Sequence, residues 1–315
     1  MRRILVTGAS GFVGQHLLTA LRAAFPTARL IAATRSEAVV GWDEVVSLDL
    51  LNPTSCTAAI TTAAPAAIVH LAALAVVGES FVNSLPIWRA NLCGTLALAE
   101  AVRTQAPEAL FVQISSAEVY GLAFRTGLPL AEDAPLQPAN PYAASKAAAD
   151  LAIGEMALRG LRAIRVRPFN HTGAGQTDKF VVPALAKQVA LIAAGRQKNA
   201  LRVGALERWR DFLDVADVCA GYIAVLRADA RLQPGAVFNL ASGRSRRVAD
   251  ILADLMRLAG VEARIEAEEA RLRPTDLIRT LGDAAAAKDT FGWAPVIPWE
   301  TTLTTVLADW RSRIC

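Results

Sequence analysis

The chain has 315 residues, of which 53% are hydrophobic and only 6% aromatic, and its formal net charge is +4 at pH 7. A chain of this length and apolar content can bury a large core in one or two domains, which excludes an intrinsically disordered protein. The basic residues are mostly scattered arginines without a long Lys/Arg block. This pattern favours anionic small molecules as partners over nucleic acid.

The cysteines and the hydropathy pattern indicate a reducing compartment. The four cysteines are far apart and form no CxxC pair, so we expect neither a disulfide framework nor a metal site. Reduced thiols are typical of the cytoplasm, which is the location we expect. The apolar run after Arg3 is too short for a signal-peptide core, and no stretch approaches eighteen uninterrupted apolar residues. We therefore expect no membrane partner.

Short apolar runs alternate with helical stretches along the first half of the chain. The runs predicted to be buried parallel strands are 4–6, 30–33, 67–71, 110–114 and 163–166. The helices predicted between them are 14–24, 53–63, 86–104 and 141–159. This alternation predicts an α/β, Rossmann-like fold with a doubly wound parallel sheet.

The second half of the chain predicts a smaller C-terminal α/β part. It contains a predicted loop over 168–176, a strand over 237–240, and helices over 181–194, 213–226, 247–259 and 299–311. We assign residues 1–167 to a dinucleotide-binding domain, to which 213–240 returns. Residues 168–212 and 241–315 are predicted to form the substrate-binding part.

Gly8, Gly11 and Gly14 follow the first strand and open the first helix. Glycine permits a tight turn and lets the backbone approach a pyrophosphate at a helix N-terminus. The spacing is GxxGxxG, so the motif gains its meaning from its position after a strand and before a helix. We predict that this turn binds a dinucleotide, with Phe12 and Val13 beside it.

The end of the second strand bears on the choice of cofactor. Dinucleotide folds often place an acid here to hold the ribose hydroxyls, but this strand ends in Thr34-Arg35-Ser36 without a carboxylate. Arg35 suits a 2′-phosphate, which favours NADP(H) and leaves NAD(H) as the other option; a solvated surface arginine is the alternative. Asp49 and Leu50 could border the adenine or form a structural turn.

Small residues follow His70 at the end of another predicted strand. Leu71, Ala72 and Ala73 suit a strand end that lines a nucleotide. His70 itself is interpreted as a core histidine without a catalytic role. His171, in the predicted loop, could either contact a substrate or brace that loop.

Tyr142 and Lys146 lie four residues apart on a predicted helix and therefore share one of its faces. We expect Lys146 to favour the phenolate of Tyr142, lowering its pKa from about 10 toward neutrality and making it a usable acid or base. Ser116, at a strand end, could polarise the same substrate oxygen. Each side chain also has a structural interpretation: a helix cap for Ser116, a buried aromatic for Tyr142 and a solvated lysine for Lys146.

Charged residues elsewhere add candidates for substrate binding. Glu118 is either an active-site acid or a loop carboxylate. Arg202, Arg210 and Arg273 fall in separate C-terminal segments and together could hold a nucleotide diphosphate, since arginine binds phosphate bidentately. Each of these arginines alone is equally consistent with an ordinary surface residue.

The helices that begin at Pro86 and Pro141 are rich in alanine. Small side chains allow helices to pack closely, either onto the sheet alone or in a symmetric four-helix interface between two copies. We favour the homodimer.

The ordered motifs resemble those of the extended short-chain dehydrogenase/reductases that act on nucleotide sugars, and the resemblance covers essentially the whole chain. Three further segments carry it, at 167–176 (RPFNHTGAGQ), 210–218 (RDFLDVADV) and 271–276 (RLRPTD). The resemblance implies that Ser116, Tyr142 and Lys146 are the catalytic set.

The resemblance also implies roles in binding and an activity. Pro168 would border the nicotinamide, and Asn170, Arg210 and Arg273 would face the substrate's nucleotide and phosphates. The implied reaction is reduction, by NAD(P)H, of the 4-keto group of a GDP-linked 6-deoxy sugar, from GDP-4-keto-6-deoxy-D-mannose to GDP-D-rhamnose.

Two features of the sequence resemble other members of the same family. The stretch 70–80 is similar to that of UDP-galactose 4-epimerases, and Glu118 matches the acid of GDP-mannose 4,6-dehydratases; both enzymes keep NAD tightly bound. A non-catalytic NADP-binding sensor is a third hypothesis, against which the intact Ser/Tyr/Lys set argues.

Overall fold

The computed structural model describes residues 1–35, 39–75, 77–268 and 277–314. The strands are β1 Arg3–Thr7, β2 Arg29–Thr34, β3 Glu44–Ser47, β4 Ala67–His70, β5 Leu110–Ile114, β6 Ala163–Pro168, β7 Asn170–Thr172, β8 Ala200–Val203, β9 Trp209–Asp214, β10 Val237–Leu240, β11 Ser245–Arg247 and β12 Arg264–Ala267. The α-helices are α1 Phe12–Ala24, α2 Pro53–Ala63, α3 Val77–Val82, α4 Leu85–Trp88, α5 Gly94–Gln105, α6 Pro141–Leu158, α7 Val181–Ala193, α8 Val215–Ala228, α9 Val248–Ala259, α10 Ala285–Phe291 and α11 Trp299–Ile314. Arg273 lies outside the described residues.

Seven strands form one sheet in the order β10-β6-β5-β4-β1-β2-β3, and every neighbouring pair is parallel. The central strands are apolar runs whose residues are almost all buried, as expected for a parallel sheet covered on both faces. The predicted Rossmann-like fold class is confirmed. Because the strands are parallel, the C-terminal ends of β1, β4, β5 and β6 lie along the same edge of the sheet.

Two helical layers cover this sheet. Helix α1 packs against α8, and the buried residues of that layer form a core with one face of the sheet. Helices α2, α5 and α6 pack on the opposite face around a second core. Close packing of α6 is helped by four alanines among its buried residues, Ala143, Ala147, Ala149 and Ala157.

A third hydrophobic core lies outside the large sheet, where α7, α9 and α11 pack together beside β8 and β9. Strand β10 instead pairs with β6 in the large sheet. The division at residues 167, 212 and 240 stays a prediction. None of the described helices is both long and apolar enough to span a lipid bilayer.

Several predicted elements were wrong in detail. The segment 168–176 is not entirely loop, because β7 pairs with β9 forty residues later, with Asn170 opposite Phe212. The predicted helix at 213 begins at Val215, since Asp214 still belongs to β9 and caps the helix by accepting a hydrogen bond from the Ala216 amide at 2.8 Å. Strands β8, β11 and β12 were not predicted as elements.

The predicted helix over 86–104 is interrupted by a π-helical turn at Arg89–Cys93, between α4 and α5. Within this turn the Asn91 amide exchanges hydrogen bonds with the backbone of Leu74, accepting from its N–H at 2.8 Å and donating to its carbonyl at 3.1 Å. Asn91 also donates to the Ser145 hydroxyl at 3.0 Å. The Asn91 side chain is thus held by Leu74 on one side and by Ser145 on the other, at the point where the helix widens into a π-helical turn.

The Ala117–Thr126 segment, mostly 3₁₀-helical, contains a glycine that the backbone requires. Gly121 has φ +47°, and a Cβ there would lie 1.9 Å from the Gln137 carbonyl oxygen. Gly127, at φ +73°, has nothing within 4 Å of that position. We expect Gly127→Ala to cost about 1 kcal/mol and Gly121→Ala at least ~3 kcal/mol, measured by chemical denaturation. Equal losses would contradict this assignment.

Candidate active site

The turn after β1 is held so close to the next strand end that two of its glycines cannot be replaced. Gly8 has φ +68°, and a Cβ there would lie 2.9 Å from the Ala72 nitrogen. A Cβ on Gly14 would lie 2.6 Å from the Gly8 carbonyl oxygen, while the Gly11 amide donates to that same oxygen at 2.9 Å. The turn therefore presents bare backbone at the N-terminus of α1, where amides and the helix dipole favour an anion.

A chain of buried hydrogen bonds joins this turn to the π-helical segment. Thr95 donates to the Asn91 carbonyl at 2.7 Å, so its oxygen accepts from His70 Nε2 at 2.9 Å. His70 Nδ1 then accepts from the Thr7 hydroxyl at 2.7 Å, and Thr7 accepts from the Ala72 amide at 3.1 Å. Burial, and then the charge of Lys146, lower the pKa of His70 to about 3. It is a neutral core histidine, as interpreted.

The candidate catalytic side chains come from the end of β5 and the first turns of α6. Asn140 caps α6 by accepting from the Ala143 amide at 2.7 Å. Ser116 accepts from the Glu118 amide at 3.2 Å and lies close enough to Tyr142 to act on the pKa of its phenol. Ser116 is therefore both a helix cap and a neighbour of the phenol, which joins two interpretations that the sequence left separate.

The pKa of Tyr142 moves opposite to the prediction. Burial raises it to about 12, with the Ser116 hydrogen bond opposing and the Glu118 charge adding to the rise. Lys146 donates to the Ile114 carbonyl, and burial lowers its own pKa to about 8. The prediction that Lys146 lowers the Tyr142 pKa was wrong for the protein groups alone, because desolvation of the phenolate outweighs the other contributions.

Glu118 lies close enough to Tyr142 for its charge to act on the phenol. Its carboxylate accepts from the Asn140 side chain at 3.3 Å, so Glu118 is tied to the residue that caps α6. The structure thus brings Ser116, Glu118 and Tyr142 together around one point.

The remaining predicted cofactor residues lie along the same edge of the sheet. Arg35 is exposed at the end of β2. The Asp49 carboxylate accepts from the Leu51 amide at 3.0 Å, which is the structural turn that the sequence offered as its alternative. Leu50 lies against α5 at Gly94, and Pro168 is buried at the end of β6. Leu71 and Ala73 are half-buried on either side of Ala72.

The predicted substrate residues are more dispersed. Asn170 is half-buried on β7, and Arg210 on β9 donates to the Leu277 carbonyl at 2.9 Å. Arg202 is exposed on β8, whose partner is β12. Within the described ranges no hydrogen bond or ion pair links Arg202 to Ser116, Tyr142 or Lys146.

His171, on β7, lies against the start of α1. Its Nδ1 bonds the Phe169 carbonyl at 2.9 Å, and its ring stacks on Phe12 with centroids 6.4 Å apart and planes 9° apart. Phe12 also meets His16 edge-on, and His16 bonds the Ala174 carbonyl at 2.7 Å. These contacts fix the 170–176 segment against the start of α1.

Sequence reasoning missed a buried ion cluster under α6. The Asp150 carboxylate accepts from Arg167 at 2.8 and 2.9 Å and from Arg165 at 3.1 Å. Arg167 also lies over the Tyr120 ring, 5.1 Å from its centroid. The usable signals were an acid one turn after Lys146 and alternating arginines in an otherwise apolar strand.

Comparison with known proteins agrees with this geometry. The model of the family described as GDP-mannose 4,6 dehydratase matches residues 5–306. The chain is 37% identical to GDP-6-deoxy-D-mannose reductase from Pseudomonas aeruginosa, over 99% of this chain and 98% of that one. It is 29% identical to UDP-glucose 4-epimerase from Azospirillum brasilense, over 93% and 87%.

Two solved structures share the fold over nearly their whole length. RMD from Pseudomonas aeruginosa, complexed with NADPH, has a TM-score of 0.86 and 35% identity, covering 99% of this chain and 100% of that one. UDP-glucose 4-epimerase from Thermus thermophilus, in complex with NAD, has a TM-score of 0.85 and 25% identity, covering 99% of both. The resemblance noted from the motifs is confirmed, and the chain belongs to the extended short-chain dehydrogenase/reductases, in the GDP-mannose 4,6 dehydratase family.

Proposed function

We propose that the chain is an NADPH-dependent reductase that converts GDP-4-keto-6-deoxy-D-mannose to GDP-D-rhamnose. The observation that carries the proposal is the placement of Ser116 beside the buried Tyr142, with Lys146 one turn along α6, at the sheet edge next to the glycine turn. Identity of 37% to GDP-6-deoxy-D-mannose reductase over 99% of the chain supports this substrate over other nucleotide sugars.

The residues of the site fit a nicotinamide dinucleotide. Gly8 and Gly14 permit close backbone packing at the turn where α1 begins, because side chains there would collide with the backbone. The start of α1 is where a pyrophosphate belongs. Arg35 would meet a 2′-phosphate, and the Lys146 ammonium would hold the nicotinamide ribose. When bound, the cofactor supplies the hydride that the carbonyl carbon receives.

The protein's own task is to polarise the ketone and to give one proton. With a pKa of about 12, Tyr142 is protonated at neutral pH and can donate to the sugar O4 as negative charge develops there. Ser116 would donate a second hydrogen bond to the same oxygen. The phenolate left behind would be stabilised by the Lys146 cation and re-protonated before the next turnover.

We expect Tyr142→Phe to lower kcat by about 10²–10⁴-fold, because it removes the proton donor without altering the ring. Lys146→Ala should be at least as damaging. Both are measured as NADPH oxidation with the keto sugar, and NADPH binding by Tyr142→Phe, followed by fluorescence, serves as the folding control. A Tyr142→Phe enzyme within about three-fold of wild type would contradict the assignment.

We propose that Arg35 selects NADPH over NADH, which leaves NADH as the weaker cofactor. Arg35→Ala should raise the Kd for NADPH by about ten-fold or more, since it removes a charge-assisted phosphate contact. The Kd for NADH is the internal control and should change little. Equal weakening of both cofactors would make Arg35 a surface residue.

Dehydration of GDP-mannose is the second candidate, favoured by the position of Glu118 beside Tyr142. A dehydratase returns the hydride to its substrate, so it would turn over GDP-mannose without added NADPH. We expect no such turnover from wild type, and only a modest effect of Glu118→Gln on keto-sugar reduction, because the ketone needs a single proton. GDP-mannose turnover that Glu118→Gln abolishes would favour the dehydratase.

The amount of NADPH oxidised per substrate consumed separates the reductase from a 4-epimerase and from a non-catalytic sensor. A 4-epimerase would carry tightly bound NAD and consume no NADPH, and a non-catalytic sensor would bind NADPH without oxidising it. A reductase must release oxidised cofactor in each cycle.

We also propose a homodimer formed through the helices that start near Pro86 and Pro141. On α6, Leu151 and Leu158 lie seven residues apart, and both are exposed, at 59% and 88%. Leu158→Glu should yield a monomer in analytical ultracentrifugation, whereas Val296→Glu, at a residue 81% exposed elsewhere, should not. A wild-type monomer would refute the proposal. The cytoplasmic location stays a prediction.

A further inference from the structure

Asp150 lies one helical turn after Lys146 on α6, so the two side chains share a face of the helix. Asp150 is fully buried and Lys146 is only 4% exposed. A carboxylate is rarely buried without a specific partner, because removing it from water is costly. The position of Asp150 beneath the catalytic lysine therefore calls for an explanation.

Two arginines of β6 hold this carboxylate in its ionised form. Arg167 binds it through both Nε and Nη2, at 2.9 and 2.8 Å, in a bidentate fork. Arg165, whose side chain is 16% exposed, adds a contact at 3.1 Å. Burial opposes ionisation, but these contacts hold the pKa of Asp150 below its ordinary value. The arginine contacts therefore favour the ionised form of Asp150.

The fork is itself anchored to three parts of the chain. Arg167 donates to the Tyr120 hydroxyl at 3.0 Å and to the Glu132 carbonyl at 2.9 Å. Tyr120 donates to Asn239 on β10 at 2.8 Å. Arg167 consequently cannot move away from the Asp150 carboxylate without breaking its contacts to Glu132 and to Tyr120, which in turn is bound to β10.

The charges around Lys146 are unequal in sign. His70, from β4, is near enough for the charge of Lys146 to lower its pKa, and Arg165 and Arg167, from β6, are bound to Asp150. On its own helix Lys146 faces Tyr142, which is neutral at this pKa, and Asp150.

Glu118, from the segment after β5, acts on Tyr142. Asp150 is therefore the carboxylate whose charge acts on Lys146, and it opposes the effect of burial on the lysine.

We propose that Asp150 is a positioning residue that keeps Lys146 protonated at the active site, and that the Asp150–Arg167–Arg165 cluster sets the pH at which Lys146 loses its charge. The inference rests on the proposed function only in taking Lys146 as catalytic. Burial lowers the pKa of Lys146 to about 8, and Asp150 works against that fall.

The sign of each substitution follows from electrostatics. Asp150→Asn removes the negative charge, so the pKa of Lys146 should fall by about one unit or more. Arg165→Gln removes a positive charge from the same cluster, so the pKa should rise by a smaller amount. Asp150→Glu keeps the charge and should restore most of the wild-type value.

A direct titration of Lys146 tests this without substrate. The chain has only five lysines, at 146, 179, 187, 198 and 288, so ¹³Cε-lysine NMR can follow each ammonium, and Lys146→Arg assigns the signal. Asp254→Asn is the matched control, since Asp254 is also a helical aspartate paired with an arginine, but its side chain is 43% exposed. It should leave the Lys146 titration unchanged.

The pH profile of kcat gives the second readout. Loss of activity at high pH should begin at lower pH in Asp150→Asn and at higher pH in Arg165→Gln. If Asp150→Asn does not fold, Arg165→Gln, at a partly exposed residue, decides alone. A Lys146 pKa within about 0.2 units of wild type in the folded variants would overturn the inference. Wild-type protein without keto-sugar reductase activity would instead count against the proposed function, while the NMR titration still tests the cluster.

Discussion

The hydrogen bond from the Lys146 ammonium to the Ile114 carbonyl ties the first turns of α6 to the end of β5. The Lys146 ammonium is thereby buried at the sheet edge, and α6 packs on the sheet with this charge on its inner face. The alanines on the inner face of the helix let it approach the sheet closely, and the cap from Asn140 fixes where the helix begins. Tyr142 is then placed against Ser116 without further freedom.

Burial acts on the two members of this pair in complementary ways. It raises the pKa of Tyr142, which keeps the phenol protonated as a donor, and it lowers the pKa of Lys146, which brings the lysine near the point of losing its charge. A buried cation of this kind needs nearby negative charge to persist at neutral pH. Asp150 supplies that negative charge to Lys146. Separately, His70 ties the glycine turn to the π-helical segment through its hydrogen bonds with Thr7 and Thr95.

The parts of the site that sequence could predict are those set by local geometry. Gly8 and Gly14 follow from the strand–turn–helix order, and the Tyr142–Lys146 pair follows from helical spacing. The parts it could not predict depend on contacts between distant residues. The Asn91 amide, which accompanies the π-helical turn, bonds Leu74 and Ser145, 17 and 54 positions away.

Tertiary contacts also explain the wrong predictions. The segment 168–176 is rich in turn formers, but residues 170–172 form a strand because they pair with β9. Pairing with a neighbouring strand outweighs the local propensity of the sequence. The direction of the Tyr142 pKa depends on desolvation, which no spacing of residues encodes. Arg35 and Arg202 could be named from composition and position, and their roles in binding stay predictions.

The most direct test of the account is incubation of the purified wild-type protein with GDP-4-keto-6-deoxy-D-mannose and NADPH. Loss of absorbance at the wavelength of NADPH gives the cofactor consumed, and NMR of the nucleotide sugar identifies the product. The account predicts one NADPH oxidised for each GDP-D-rhamnose formed, with no reaction of GDP-mannose when NADPH is omitted. Unchanged keto sugar and unoxidised NADPH, together with conversion of GDP-mannose in the absence of added cofactor, would contradict it.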